Sequence, residues 1–305
     1  MSQYRINRAR GCLLGLAIGD AIGSTVEFKP RGSFPPVTGI AGGGPFGLRA
    51  GEWTDDTSMA LCLGASLLES GFNLRDQITR YVRWYREGYM SSTGSCFDIG
   101  NATREALNRF ESSGNPEAGS SDPQSAGNGC IMRLAPVPIR YVDSPEIAAS
   151  LSADQARTTH AAPECVEASR LFGEILVRVL QGDCGKAEAL ITEIGGSYRT
   201  LSPRLQGIAV GEYFEFDRQW VKGTGYVVDS LEAALWCFYT TDSFRDAVLA
   251  AANLGDDADT TAAITGQIAG AFYGESGIPQ EWLDTVFMAK EIGSMAEQLS
   301  RAGKP

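Results

Sequence analysis

Residues 4–23 read YRINRARGCLLGLAIGDAIG, and the spacing inside this stretch decides the fold class. Leu14, Ile18 and Ile22 recur at helical intervals, while Gly11, Gly15, Gly19 and Gly23 fall four residues apart along one stripe. Each glycine inside a helix costs about 1 kcal/mol against alanine. A stripe of them is useful where a second backbone must come very close. Further segments rich in Ala, Leu, Glu and Arg predict helices over 55–69, 73–87, 98–111, 162–181, 229–239, 243–253, 259–273 and 280–299. Alternating β-branched runs are scarce, so the pattern predicts an all-α domain rather than α/β.

Three stretches interrupt the helical pattern. Residues 28–53 are rich in Gly and Pro, residues 112–129 form a polar loop, and 214–228 read as extended or loop. Loops of this length in a compact domain usually carry function or are disordered. No fixed-period repeat and no long linker is present, which predicts one domain over residues 1–305. The chain is long enough to bury a sizeable core without disulfides. Its net charge of −11 disfavours nucleic-acid backbones and anionic membranes as partners. Seven scattered cysteines with no CxxC pair read as free thiols in a reducing compartment. The N-terminus has a basic start and an apolar stretch, but glycines interrupt it and no convincing cleavage site follows. No apolar run reaches membrane-spanning length, so the expectation is a cytoplasmic protein, with a monomer as the default.

The chemistry is concentrated in two acidic motifs. Residues 54–60 read TDDTSMA and residues 255–263 read GDDADTTAA. Each places carboxylates and a threonine at the start of an Ala/Leu-rich helix. Taken singly, either is explained by helix capping, with Thr54 or Asp257 as the N-cap and acids favoured in the first turn. Capping uses about one acceptor per helix, however, and both starts hold more. If the two starts converge, their like charges require a counter-charge. Carboxylate and hydroxyl oxygens suit Mg²⁺, Mn²⁺ or Ca²⁺. A single histidine, His160, and no cysteine cluster disfavour zinc and copper.

GLAIGDAIGSTVEF, WTDDTSMAL, CFDIGNATREAL, GNGCIMRLAPVPI, TTHAAPECVEASRLF, GTGYVVDSLEAALW and LGDDADTTAAITGQIAGAFYG resemble, in order, the blocks of the ADP-ribosylglycohydrolase family. The likeness spans roughly residues 8–275 and is greatest to the bacterial branch containing the dinitrogenase reductase-activating glycohydrolase. It implies an all-α single domain with a dinuclear Mg²⁺/Mn²⁺ cleft. Thr54, Asp55 and Asp56 would bind metal from one side, and Asp257, Asp259 and Thr260 from the other. Asp256 stands where many members have glycine and is left out of that set.

The resemblance also implies roles for residues whose plain reading is different. Glu27 reads as a solvated acid, but by resemblance it is a mobile residue that closes over the metals. Asp98 reads as a helix cap, and Asn101 as a common first-turn residue. In the family this aspartate faces the scissile bond, where a carboxylate can hold a guanidinium or accept a proton from water. Gly127-Asn128-Gly129 is a permissive turn whose amides can approach a diphosphate or ribose, and Met132 follows among the substrate-binding residues. Gly223-Thr224-Gly225-Tyr226 also suits phosphate, with Tyr226 available to stack on adenine. Neither turn matches a Walker A or dinucleotide fingerprint. His160 would line the cleft as a hydrogen-bonding group. Trp53 reads as core.

The expected activity is hydrolysis of the bond at ribose C1″ in an ADP-ribosylated protein, most simply at arginine, with two divalent cations. Alternatives that fit the sequence are serine-linked ADP-ribose hydrolysis, nucleotide diphosphate cleavage and a silent ADP-ribose-binding relative.

Overall fold

A computed structural model describes residues 2–182, 184–192 and 201–302. In chain order these form α1 (Gln3–Gly23), α2 (Asp55–Ser70), α3 (Leu74–Glu87), α4 (Asn101–Ser113), α5 (Pro136–Arg140), α6 (Pro145–Ala156), α7 (Pro163–Gln181), α8 (Lys186–Leu190), α9 (Pro203–Ala209), α10 (Val227–Tyr239), α11 (Phe244–Ala252), α12 (Ala258–Tyr273), α13 (Gln280–Thr285) and α14 (Ala289–Arg301). No strand occurs among the described residues. The all-α expectation holds, and no helix among the described residues is long and apolar enough to cross a membrane. None of the seven cysteines forms a disulfide.

Helix α1 is buried on nearly every side from Ile6 onward, which is how a helix at the centre of a core reads. Its glycine stripe lies against α12, the two helices running antiparallel. A Cβ placed on Gly15 would come 2.2 Å from the carbonyl oxygen of Gly266, one on Gly19 2.1 Å from that of Ala262, and one on Gly23 2.3 Å from that of Ala258. The relation is reciprocal, since a Cβ on Gly270 would meet the Gly11 carbonyl at 1.9 Å. Only hydrogen fits between these backbones. The result places the C-terminal end of α1 beside the N-terminal end of α12, where Asp257, Asp259 and Thr260 begin the helix. Helices α10 and α11 pack on α12, α2 and α14 pack on α1, and α6 pairs with α7.

Two parts of the helical reading need correction. The stretch 280–299 is not one helix. The chain leaves α13 at Val286, where Phe287 donates its N–H to the Gly51 carbonyl at 2.9 Å and its own carbonyl accepts from Trp53 Nε1 at 3.1 Å. Met288 then turns in the left-handed region, φ 60°, before α14 starts. Docking onto the loop before α2 overrides local helix propensity. The sequence pattern predicts no helix over residues 136–156, yet they carry α5 and α6. The apolar residues of α6 are mostly alanines, and α5 is a single short turn holding Pro136 and Pro138, so the hydrophobic periodicity is weak. Helix α4 begins at Asn101, so Asp98 lies outside it.

Candidate active site

The acidic motifs do not cap their own helices. Thr54 is the N-cap of α2 and Asp257 that of α12, yet neither side chain makes the capping bond. Both jobs are done by acids in the last turn of α1 and just beyond it. Asp20 Oδ1 accepts from Thr54 N at 2.8 Å and Thr54 Oγ1 at 2.9 Å, while its Oδ2 accepts from Thr57 N at 3.0 Å and Thr57 Oγ1 at 2.6 Å. Glu27 Oε2 accepts from Ala258 N at 2.7 Å and Asp259 N at 3.1 Å. Two orphan donors at each helix start are thereby satisfied from outside. The carboxylates of both motifs are left with oxygens to spare.

These oxygens converge. Thr54 Oγ1 lies 3.4 Å from Asp56 Oδ2 and 3.4 Å from Asp259 Oδ2, and Thr260 Oγ1 lies 3.5 Å from Asp56 Oδ2. Glu27, Asp257 and Asp259 each offer a carboxylate oxygen within 4.8 Å of the others. Asp56 Oδ1 is fully buried with no hydrogen-bond partner among the described residues. Burial, then the charge of Asp259, raises Asp55 and Asp56 well above the ordinary carboxylate range. Burial pushes Asp259 up to about 7, with Asp257 adding to it. Asp20 reaches only about 6, because its four donors oppose the burial. Buried like charges with an orphaned oxygen and all-oxygen donors fit a hard divalent cation.

Above the acids lies a cavity of about 720 Å³. Of the residues singled out from sequence, Glu27, Asp55, Asp98, Asn101, Gly127, Asn128, Gly129, Met132, His160, Gly225, Asp257, Asp259 and Thr260 line it. No lysine or arginine lines it among the described residues. Thr54 and Asp56 sit in the buried floor below. Asp98 turns with φ 56° just before α4, and burial followed by the charge of Asp55 pushes its carboxyl up to about 11. Asn101 accepts from Arg104 at 2.6 Å. Asn128 Nδ2 donates to Asp257 Oδ2 and to Ser230 Oγ, both at 2.8 Å, which ties the glycine turn to the acidic motif. Gly223 and Tyr226 lie outside the lining. The Gly223 carbonyl accepts from Asp257 N at 3.0 Å, and the Tyr226 hydroxyl donates to Glu164 at 2.6 Å, with Arg204 5.8 Å from its ring centroid.

Glu27 is buried, not solvated. Its neighbour Phe28 donates to the Asp256 carbonyl at 2.9 Å, and Asp256 N returns a bond to Lys29 O at 2.8 Å. Both Phe28 and Asp256 take positive φ, 64° and 58°. Such conformations are uncommon away from glycine and cluster at functional sites. The sequence does not single out Asp20, Phe28 or Thr103 and sets Asp256 aside; Phe28, Thr103 and Asp256 line the cavity, as does Thr224 of the second glycine turn. For Asp20 a signal existed, since this acid directly follows Gly19 inside the otherwise apolar, glycine-striped stretch 11–23 of the helix.

Comparison with known proteins shows the family. The family model described as ADP-ribosylglycohydrolase matches residues 1–305. An ADP-ribosylarginine hydrolase Tri1 of Serratia proteamaculans (strain 568) is 47% identical over 298 residues, covering 96% of this chain and 79% of that protein. The ADP-ribosyl-[dinitrogen reductase] glycohydrolase of Rhodospirillum rubrum is 33% identical over 292 residues, covering 93% and 92%. A solved structure titled as an ADP-ribosylglycohydrolase-related protein complex superposes with a TM-score of 0.89 at 42% identity, covering 99% of this chain and 100% of that one. With its whole length matched and its two acidic helix starts meeting under one cavity, this chain belongs to the ADP-ribosylglycohydrolase family.

Proposed function

We propose that this chain releases ADP-ribose from arginine side chains of modified proteins, with two divalent cations, Mg²⁺ or Mn²⁺, held by Thr54, Asp55, Asp56, Asp257, Asp259 and Thr260. The observation that carries the reading is the delegated capping. Asp20 and Glu27 satisfy the helix starts, so the carboxylates of both motifs are free to face one floor. The names of the relatives supply the linkage, and the cavity volume falls in the range of small-molecule sites.

When bound, the cations neutralise the acidic floor and polarise ligand oxygens. The protein does the rest. The turn at Gly127–Gly129 and Asp257 line the cavity side by side, joined through Asn128. Asp98 faces the cavity beside Asp55 and can hold a guanidinium, whose positive charge then favours the ionised carboxylate. In the reaction the bond from ribose C1″ to the guanidinium nitrogen breaks and the oxygen of a water bonds to C1″. One proton of that water passes to Asp98 and on to the departing nitrogen. No nucleophilic side chain is required, so orientation and charge stabilisation carry the rate.

The test is incubation with arginine-linked and serine-linked ADP-ribosyl peptides, with products separated by chromatography. Free ADP-ribose from the arginine peptide is the expected result. Release from serine alone overturns the linkage, and AMP with ribose phosphate overturns glycohydrolysis itself.

A further inference from the structure

The cavity contains the single histidine of the chain, and its surroundings fix more than its position. Arg133 is a fully buried cation in the core. It donates to the Gly129 carbonyl at 2.9 Å, to Thr158 Oγ1 at 3.2 Å and to Thr159 Oγ1 at 2.7 Å, and its guanidinium lies 4.8 Å from the Tyr81 ring centroid. Thr159 Oγ1 in turn lies 2.8 Å from His160 Nδ1. His160 Nε2 has no protein partner among the described residues, and the ring lies against the glycine turn. A Cβ on Gly129 would come 2.7 Å from His160 Cε1, and one on Gly127 3.3 Å from Nε2. At Gly129 the ring occupies the space a side chain would need, and at Gly127 it leaves only a tight fit; neither glycine takes a positive φ.

Counting protons assigns the tautomer. The Thr159 hydroxyl has one proton and two lone pairs. Arg133 can only donate, so one lone pair is taken. If His160 Nδ1 also donated to Thr159, the hydroxyl proton would be left in a fully buried place with no acceptor, at a cost of about 1–3 kcal/mol. If instead Thr159 donates to Nδ1, every group is satisfied. The ring proton must then sit on Nε2.

We infer that Arg133 is a positioning residue which, through Thr159, fixes His160 as the neutral Nε2–H tautomer and points that donor into the cavity. The partner is a hydrogen-bond-accepting oxygen of the bound ligand. Burial first, and then the charge of Arg133, pushes His160 down to about 3, consistent with an uncharged ring. The ring thus gives one directed hydrogen bond without adding a cation beside the acids.

The experiment is ¹⁵N NMR of the histidine-labelled chain without an affinity tag, where one ring gives one unambiguous signal set. The expected spectrum is that of the Nε2–H tautomer, unchanged between about pH 5.5 and 8. Thr159→Val removes the hydroxyl at constant shape and should give a mixed-tautomer spectrum. Thr159→Ser should restore the parent one. Using ADP-ribose as probe, a step that rests on the function proposed above, Thr159→Val should weaken binding about tenfold and Thr159→Ser about twofold or less. Circular dichroism and melting monitor the fold of each variant. An Nδ1–H spectrum in the parent chain overturns the inference, as does a Thr159→Val spectrum that matches it. Because the spectra are recorded without ligand, they stand even if ADP-ribose proves not to be the product.

Discussion

The hydroxyl oxygen of Thr54 lies 3.4 Å from Oδ2 of Asp259, 205 positions further along the chain. Neither residue reaches the other by local geometry. They meet because α1 carries Asp20 to the start of α2 and rests its glycine stripe on α12, so one central helix sets both halves of the acidic floor.

Asparagine at Asp20 and at Asp55 should act in opposite directions on the metal-free chain. Asp20 holds four donors, so Asp20→Asn leaves buried groups unpaired and should cost about 2–4 kcal/mol. Asp55 has no hydrogen-bond partner in another residue among the described residues and sits among like charges. Asp55→Asn should therefore raise the melting temperature in chelator while reducing turnover at least about a hundredfold. Thermal melts in EDTA, with turnover measured in parallel, read both. A destabilised Asp55→Asn protein would mean that the floor is structural.

Divalent cations should stabilise the chain more at high pH than at low pH. The carboxyls of Asp55, Asp56 and Asp259 are raised above the ordinary 3.8, Asp259 to about 7. With folded values above unfolded ones, the metal-free chain binds extra protons and loses stability as pH rises through that window. A cation replaces those protons. The Mn²⁺-induced rise in melting temperature should be larger at about pH 8 than at about pH 5.5. Calorimetry in two buffers of different ionisation enthalpy should show protons released. An equal rise at both pH values would contradict it.

His160 works in the other direction. Its folded value of about 3 lies below the ordinary 6.5, so between the two the unfolded chain binds the extra proton. Its contribution is complete above 6.5 and is lost as pH falls, by about 1.4 kcal/mol per pH unit. Denaturant titrations of the parent chain and His160→Gln should differ in this slope on the acid side. Parallel curves would show that the ring takes up a proton without penalty.

Gly15→Ala sets two effects against each other. Alanine gains about 1 kcal/mol of helix propensity. Its methyl group meets the Gly266 carbonyl at 2.2 Å, an overpacking worth about 3 kcal/mol because the obstacle is backbone. The net expectation is a loss of about 2 kcal/mol, with Mn²⁺ affinity reduced as α12 shifts. Melting and metal titration together check it. A more stable alanine variant would disprove close packing there.

Much of this was legible beforehand. The glycine stripe of α1 and the helical periodicity of α2, α3, α7 and α12 are local signals, and the structure has helices there. The acidic motifs were visible, but a single sequence does not say who caps a helix. The bond from Glu27 to Ala258 spans 231 positions and that from Asp20 to Thr57 spans 37, beyond any local rule. The same limit explains the stretch at 280–299, where the loop holding Gly51 and Trp53 breaks a helical pattern. It also explains Tyr226, whose hydroxyl is engaged by Glu164 on a helix remote in sequence.

The contact between α1 and α12 has the character of a ruler. Sliding one helix past the other by a single residue would move Asp259 by about 1.5 Å, enough to break the proposed metal coordination, which would tolerate a few tenths of an ångström. Side chains could absorb such a slip by changing rotamer, but main chain seated on main chain has nothing with which to yield. The tolerance of the two-sided acidic floor is thereby set by atoms that mutation cannot easily loosen without first adding bulk.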